Sequence, residues 1–205
     1  MKTFPIMLDV RGRPAVVVGG GGVGRRRAAM LCRAGAKVTL IDKDLAEEAG
    51  LEGVTVIREA YRPGHLRSAA LVFACTDDRS VNARIVADAR KSGSLVNAAD
   101  QPADCDFFMP AVAADGDVVV AVGTGGTAPA LAAMLKHRLI AALPPRIGQF
   151  ADLLGEIRQE LTAAIPDAAR RGEIVRRLST EEVYHAFAAA GPAAVRERLG
   201  QMLAS

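Results

Sequence analysis

Three glycines with the spacing of a phosphate-binding loop stand near the start of the chain. Gly19, Gly21 and Gly24 form G-x-G-x-x-G within VVVGGGGVGRRRAAML, between a run typical of a strand and one typical of a helix. There the first glycine permits a tight turn, the second lets the backbone approach a pyrophosphate, and the third lets the helix pack on the strand. We expect the N–H groups of Gly22 and Val23 to face the diphosphate. The spacing predicts a dinucleotide-binding site.

The acidic residue expected in such a site follows eighteen positions after the third glycine. Asp42 ends the next predicted strand, where a carboxylate binds the hydroxyls of the adenosine ribose and repels a 2′-phosphate. This residue favours NAD over NADP, and Lys43 beside it works against that preference. Two alternatives stay open at this point: another nucleoside cofactor, such as S-adenosylmethionine, and a glycine-rich turn that binds no ligand.

Two further groups of polar residues follow predicted strands. Thr76 and Asp77 follow ALVFAC, and Asn97 and Asp100 lie in or just after SLVNAA. The carboxyl ends of the strands in an open α/β sheet border the ligand crevice. We therefore expect Thr76 and Asp77 to face the cofactor, and Asn97 and Asp100 to lie near the nicotinamide. Asp78 or Ser80 could equally be a helix N-cap.

These residues need a sheet to bring them together, and the sequence predicts one. Short β-branched runs alternate with helical spacing, which is typical of a parallel sheet buried on both faces. The predicted strands are Ala15–Gly19, Lys37–Asp42, Val54–Arg58, Ala70–Cys75 and Ser94–Ala99, and the predicted helices are Arg25–Arg33 and Val81–Lys91. The fold class is α/β, a Rossmann-type doubly wound parallel sheet.

The pattern changes after residue 100. Two strand-like runs joined by ADGD precede a second glycine loop and an Ala/Leu-rich helix, and from Ile147 onward the pattern is helical. We predict an NAD-binding Rossmann domain over residues 1–113, a small α+β dimerisation segment over 114–146, and a helical C-terminal domain over 147–205.

Composition narrows the class of protein. Half of the 205 residues are hydrophobic, and 26 basic against 23 acidic residues leave a net charge of only +3. A nucleic-acid partner usually requires a stronger basic excess, so we expect none. The three cysteines fit neither a zinc spacing nor a disulfide framework, so we expect no metal. With no signal peptide or long apolar run, we expect a cytoplasmic protein without a membrane partner.

Several motifs in order carry a family resemblance. FPIMLDVRGRPAVVVGGGGVGRRRA, ACTDD, VNAADQP, FFMPA and AVGTGGTAPALA resemble the precorrin-2 dehydrogenase family, which includes the N-terminal module of siroheme synthase and bifunctional dehydrogenase/ferrochelatases. The resemblance implies oxidation of precorrin-2 to sirohydrochlorin with NAD. It also implies a homodimer with interlocked middle and helical segments and an active cleft shared between subunits.

The resemblance also implies site residues. The family's catalytic aspartate lies in N-x-x-D-x-P, which gives Asp100 here. Its serine loop near the tetrapyrrole matches Thr124, Gly125 and Gly126, and Thr124 keeps the hydroxyl. Removal of two electrons from the substrate requires transfer of a hydride and loss of a proton, so the protein must supply a base. An aspartate beside the crevice is suited to that role; a turn cap is the alternative for Asp100.

Two other functions remain compatible with the sequence. One is a bifunctional enzyme that also inserts Fe²⁺ into sirohydrochlorin, with Asp100 helping to remove the pyrrole protons. The other is a non-catalytic module that senses NAD and binds a partner through its helical tail.

Overall fold

The first half of the chain alternates strands with helices, as predicted. The computed structural model describes residues 3–45, 47–99 and 101–204, and its two units are Met1–Met109 and Pro110–Ser205. The first unit contains β1 (Pro14–Val18), α1 (Gly22–Arg33), β2 (Lys37–Ile41), β3 (Thr55–Ile57), β4 (Leu71–Ala74), α2 (Arg79–Lys91) and β5 (Leu95–Ala98). Short 3-10 helices cover Pro63–Leu66 and Pro102–Asp104.

The five strands form one parallel sheet in the order β3-β2-β1-β4-β5. β1 lies at the centre, where Val16 stands opposite Thr39 of β2 and Val72 of β4. The chain leaves β1 toward β2 and later returns to the other side of β1 through β4. Such a reversal of strand order opens a crevice at the carboxyl ends of the strands, which is where ligands bind in this fold.

Both faces of the sheet are buried, which explains the continuous apolar strands. Val17 of β1 packs in one core cluster with Ala28 and Leu31 of α1. The next residue, Val18, points to the opposite face and packs with Ile85 of α2. One helix therefore covers each face, and the predicted Rossmann-type fold class is confirmed.

The second unit starts with a hairpin and continues as helices. Its elements are β6 (Ala111–Asp115), β7 (Val118–Val122), α3 (Pro129–Ala141), α4 (Ile147–Ala164), α5 (Ala168–Leu178), α6 (Glu181–Ala190) and α7 (Pro192–Ala204). The predicted domain limit at residue 113 falls within β6, because the hairpin belongs wholly to the second unit. Helix α4 begins at Ile147, and all elements after it are helices.

The helical part of the second unit has its own core. Ile157, Leu178 and Val195, from α4, α5 and α7, are buried together with residues of α6. The rings of Phe150 and Phe187 lie 5.2 Å apart within this core. None of the described helices is long and apolar enough to cross a membrane.

Candidate nucleotide-binding site

The glycine loop occupies the turn between β1 and α1, and two of its glycines are sterically required. Gly19 has φ +102°, and a Cβ there would lie 2.5 Å from the carbonyl oxygen of Cys75. A Cβ at Gly24 would overlap the carbonyl oxygen of Gly19. A Cβ at Gly21 would have no heavy atom within 4 Å, so that side of the loop is open. The loop thus packs tightly on the sheet and leaves open space beside Gly21.

The first turn of α1 presents backbone donors beside this loop. Gly21 precedes the helix without a side-chain cap, and the residues Gly22 and Val23 are exposed. The N–H groups in the first turn of a helix have no partner within the helix, and the helix dipole adds partial positive charge. These two groups, predicted from sequence, are therefore suited to an anion.

Asp42 is tied directly to the glycine loop. One oxygen of its carboxylate accepts a hydrogen bond from the N–H of Gly20, and the other accepts one from the N–H of Asp44 at 2.8 Å. Lys43 is exposed, and its ammonium lies 3.5 Å from the carboxylate of Asp44. Asp42 and Lys43 both line a cleft with the glycine loop, as the sequence predicts.

The cleft has a volume of about 740 Å³ and lies at the carboxyl ends of β1, β2 and β4. Its described lining contains five carboxylates but only two cationic side chains. The carboxylates are Asp42, Asp44, Glu59, Asp77 and Asp78, and the cations are Arg25 and Lys43. Excess negative charge at the wall disfavours an additional phosphate.

Tyr61 forms part of the same wall. Its hydroxyl donates to the carboxylate of Asp88 at 3.0 Å, and its ring makes an edge contact with the ring of His65. Burial, together with the neighbouring carboxylate, raises the pKa of the Tyr61 hydroxyl. The ring is therefore held in one orientation beside the cleft.

The turn after β4 is fixed by a buried amide. Asn82 is 1% exposed. Its amide oxygen accepts hydrogen bonds from the hydroxyl and the N–H of Thr76, at 2.7 and 3.2 Å, and its amide nitrogen donates to the carbonyl of Thr76 at 2.9 Å. Asp78 caps α2 by accepting bonds from the N–H groups of Ser80 and Val81. Hydrogen bonds from the hydroxyl of Ser80 and from these N–H groups lower the pKa of Asp78. Thr76 and the exposed Asp77 both line the cleft.

A loop after β5 closes on the outer edge of that strand. Asp106 pairs with Val96 twice: its N–H donates to the Val96 carbonyl (2.8 Å), and its carboxylate accepts from the Val96 N–H (2.9 Å). The Cys105 sulfur accepts from the N–H of Ala98 at 3.3 Å, and its hydrogen can be donated to the carbonyl of Ala98 at 3.2 Å or to that of Gln101 at 3.3 Å. Burial raises the pKa of this thiol, which keeps it a donor.

Asn97 belongs to the same loop arrangement. It is 6% exposed, and its amide donates to the carbonyl of Phe107 at 2.8 Å and to the sulfur of Cys105 at 3.4 Å. Asn97 is absent from the described residues that line the cleft, so its contact with the nicotinamide stays a prediction. Asp100, the predicted base, lies outside the described residues, between Ala99 and Gln101.

The predicted substrate-binding residues lie in the second unit. Gly125 and Gly126 have φ +62° and +80° in the loop before α3. The Thr124 hydroxyl accepts a bond from the N–H of Ala128 at 3.2 Å, and the Thr124 carbonyl accepts one from the hydroxyl of Thr127 at 2.7 Å. Within the described part of the chain, no group of three or more His, Cys, Asp or Glu residues is arranged to hold a metal ion.

Sequence reasoning missed several residues of the cleft. Gly20 packs so closely on the segment after β2 that a Cβ there would lie 2.5 Å from the side chain of Leu45. Arg25 and Tyr61 also line the cleft. The run of four glycines pointed to Gly20. Arg25 and Tyr61 depend on contacts across more than twenty positions, which no local pattern reveals.

Residues 6–111 match the model of a protein family described as putative NAD(P)-binding, a span of more than half of the chain. The chain belongs to this NAD(P)-binding family. The match covers β1 through β5 and thus every described residue that lines the cleft. The description of this family, putative NAD(P)-binding, names the class of cofactor that the glycine loop predicts.

Siroheme synthases are among the curated relatives of this family member. Those of Ectopseudomonas mendocina (strain ymp), Nitrosomonas europaea and Nitrosospira multiformis are 37%, 36% and 38% identical over 175, 166 and 186 residues. The alignments cover 83%, 78% and 87% of this chain but only 37%, 35% and 39% of the relatives. The chain therefore spans a little over a third of the length of these proteins.

A solved structure extends the comparison to the fold. SirC, precorrin-2 dehydrogenase, superposes with a TM-score of 0.79 at 22% identity, over 97% of this chain and 100% of that protein. At this identity the match shows a common fold. That fold agrees with the resemblance carried by the sequence motifs.

Proposed function

We propose that the chain oxidises precorrin-2 to sirohydrochlorin with NAD, in the synthesis of siroheme. The observation that carries the proposal is the cleft with its glycine loop at the switch point of the sheet. The names of the relatives and of the solved structure supply the substrate class, since they are siroheme synthases and a precorrin-2 dehydrogenase.

The residues present fit a dinucleotide. The open side of Gly21 leaves room for a diphosphate, and the N–H groups of Gly22 and Val23 would bind its oxygens. Asp42 would accept bonds from the ribose hydroxyls, since a carboxylate offers more acceptor sites than its two backbone bonds occupy. Bound NAD supplies the acceptor for a hydride.

We assign the remaining cofactor contacts to the turn after β4 and to Asn97. Thr76 and Asp77 line the cleft, and the bonds from Asn82 keep this turn in one conformation. NAD is the preferred dinucleotide in this proposal, because the carboxylates of the cleft outnumber its cations and Asp42 repels a 2′-phosphate.

Asp100 is the proposed base. Desaturation of the substrate releases a proton as well as a hydride, and a carboxylate positioned at that carbon can accept the proton. Asp100 stands two positions after β5 in the sequence, within the N-x-x-D-x-P stretch. Cys105 contacts the carbonyl groups of Ala98, two positions before Asp100 in sequence, and of Gln101, directly after it.

The glycine loop of the second unit is the proposed binding site for a carboxylate of the tetrapyrrole. Gly125 and Gly126 both have positive φ, and the thirteen-residue helix α3 follows the loop. Backbone N–H groups in such turns, and at the start of a helix, bind anions. Thr124 adds a hydroxyl to the same loop.

A homodimer is the proposed assembly. One face of the β6–β7 hairpin carries the register pairs Val112–Ala121 and Ala114–Val119, and all four residues are exposed. Helix α3 adds exposed side chains such as Leu131 and Leu139. An obligate dimer typically covers such apolar surface and buries on the order of 2,000 Å² or more.

We place the enzyme in the cytoplasm, where cysteines outside disulfides, as here, are kept reduced.

An anaerobic assay separates the candidate functions. The protein is first supplied with precorrin-2 and NAD, and sirohydrochlorin and NADH are followed by absorbance. It is then supplied with sirohydrochlorin and Fe²⁺. Formation of NADH with sirohydrochlorin supports the proposal, and added siroheme formation would extend it to a bifunctional enzyme. NAD binding without turnover of any tetrapyrrole would contradict it and indicate a sensor.

A further inference from the structure

Arg25 connects helix α1 to the segment that joins β2 to β3. Its two terminal nitrogens donate to the carbonyl oxygens of Glu47 and Ala49, at 2.8 and 2.6 Å. Charge-assisted hydrogen bonds from a guanidinium fork are stronger than neutral ones and fix geometry in two directions. Arg25 forms no ion pair among the described residues, so these carbonyl oxygens are its strongest partners.

The segment held by Arg25 forms one wall of the nucleotide cleft. Asp42, Lys43, Asp44 and Leu45 all line the cleft, and the two carbonyl groups follow two and four positions after Leu45 in sequence. Leu45 is 8% exposed and packs in the same core cluster as residues of α1. Residues 47–50 are exposed, and there Arg25 provides the bonds from α1.

We propose that Arg25 is a positioning residue that sets the preference for NAD over NADP by fixing this segment. The inference rests on the proposed use of the cleft for NAD. With the segment fixed, Asp42 and Asp44 stay where the adenosine ribose binds, and their charge opposes a 2′-phosphate. Arg25 itself is held at the carbonyl oxygens of Glu47 and Ala49.

Release of the segment affects the two dinucleotides differently. NAD loses a preordered wall and must order it on binding, which weakens affinity. NADP loses the same wall, but the exposed carboxylate of Asp44 can also move away from its extra phosphate, while Asp42 keeps its bond to Gly20. The affinity for NAD should therefore fall more than the affinity for NADP. A general loss of stability would weaken both equally, so the ratio of the two dissociation constants is the informative quantity.

The test uses the full chain and titrates NAD and NADP into wild type, Arg25→Met and Arg25→Lys by calorimetry. Methionine keeps the apolar stem without donors, and lysine keeps the charge without the fork. We expect the Kd for NAD to rise about tenfold in Arg25→Met, with a smaller change for NADP. Arg25→Lys should leave the Kd for NAD raised and should improve NADP binding, because its ammonium is no longer fixed to two carbonyl groups. Backbone amides in residues 43–51 should exchange hydrogen faster in both variants.

Arg33→Met is the matched control, because Arg33 is an exposed arginine at the other end of the same helix. It should bind both dinucleotides as wild type does. The inference is overturned if Arg25→Met binds NAD within about twofold of wild type, or if both affinities fall equally alongside a lower Tm. It is also overturned if Arg25→Lys behaves as wild type. Failure of the wild-type protein to bind NAD would instead refute the proposed function, and this inference with it.

Discussion

Asp42 and Gly20 are joined by a hydrogen bond from the backbone N–H of the glycine to the carboxylate of the aspartate. The bond connects the end of β2 to the turn after β1, two elements that both line the cleft. Because Asp44 donates to the other carboxylate oxygen, the side chain is fixed before any ligand arrives. The acidic residue is therefore part of the glycine loop's structure as well as a predicted ligand contact.

Asp42→Ala should weaken NAD binding and narrow the preference for NAD over NADP. The substitution removes the ribose acceptor and also the repulsion of a 2′-phosphate, so we expect the Kd for NAD to rise about tenfold and that for NADP to change less. Titration of both dinucleotides measures this. Asp117→Ala is the control, since it removes an exposed carboxylate that lies in the second unit, outside the cleft. Equal or tighter binding of NADP by the wild-type protein would refute the assignment and point to Lys43.

Gly24→Ala should destabilise the first unit and abolish NAD binding. The added methyl group would overlap the carbonyl oxygen of Gly19, so α1 must shift away from β1, at a cost of about 1–3 kcal/mol or more. Urea unfolding and an NAD titration measure the two effects. In Gly22→Ala the new Cβ meets only the end of the Arg26 side chain at 3.5 Å, and stability should stay near that of wild type. Equal stability of the two variants would contradict the packing.

Asp100→Asn should fold, dimerise and bind NAD as wild type does, while precorrin-2 turnover falls roughly 10²-fold or more. The amide preserves the shape of the carboxyl group but cannot accept the proton. The measurement is anaerobic kcat with precorrin-2. Asp104→Asn makes the same change of charge in the same loop and should retain activity. Near-normal turnover by Asp100→Asn would remove this residue from the mechanism.

Cys105→Ser should make stability less sensitive to alkaline pH. Burial raises the pKa of the folded thiol above its ordinary value of 9.0, so the unfolded chain loses the proton first. The contribution to folding is fully present below about pH 9 and is lost as the pH rises toward the folded pKa. Urea unfolding at about pH 8 and about pH 10 should show a larger decrease for wild type than for Cys105→Ser. An equal decrease would show that this thiol does not titrate differently on unfolding.

Val119→Lys should favour the monomer. The residue is 41% exposed on the apolar face of the hairpin, and a charge there would be buried without a partner in the proposed dimer. Light scattering at low micromolar concentration measures the mass against the 21.4 kDa chain. Leu95→Lys also replaces an exposed aliphatic residue, but one in the first unit, and it should leave assembly unchanged. A wild-type monomer at that concentration would refute the dimer.

The elements around the glycine loop could be predicted because their causes are local. Gly19 and Gly24 have the spacing that a glycine loop between a strand and a helix requires, and Asp42 directly follows the next strand. The strands differ from their predicted ends by at most one residue. Each strand is a short apolar run ended by turn residues, and this local pattern predicts a strand.

The contacts that hold the loops could not be predicted because they join distant positions. Arg25 bonds carbonyl groups 22 and 24 residues away, and carbonyl groups are the same in every residue. Cys105 fits no metal or disulfide pattern, and its bonds to β5 depend on a turn between them. Asn97 follows the rule for a crevice residue, but its amide donates to neighbouring atoms of the loop.

The closure of β5 by Cys105 and Asp106 also bears on aggregation. An exposed strand at the end of a sheet is a template on which another chain can add a strand. Here the outward N–H and carbonyl groups of Val96 and Ala98 all form hydrogen bonds with those two residues. The backbone of this edge strand is therefore already paired within the chain. The loop that follows β5 thus occupies the backbone groups of this edge on which a strand of another chain could add.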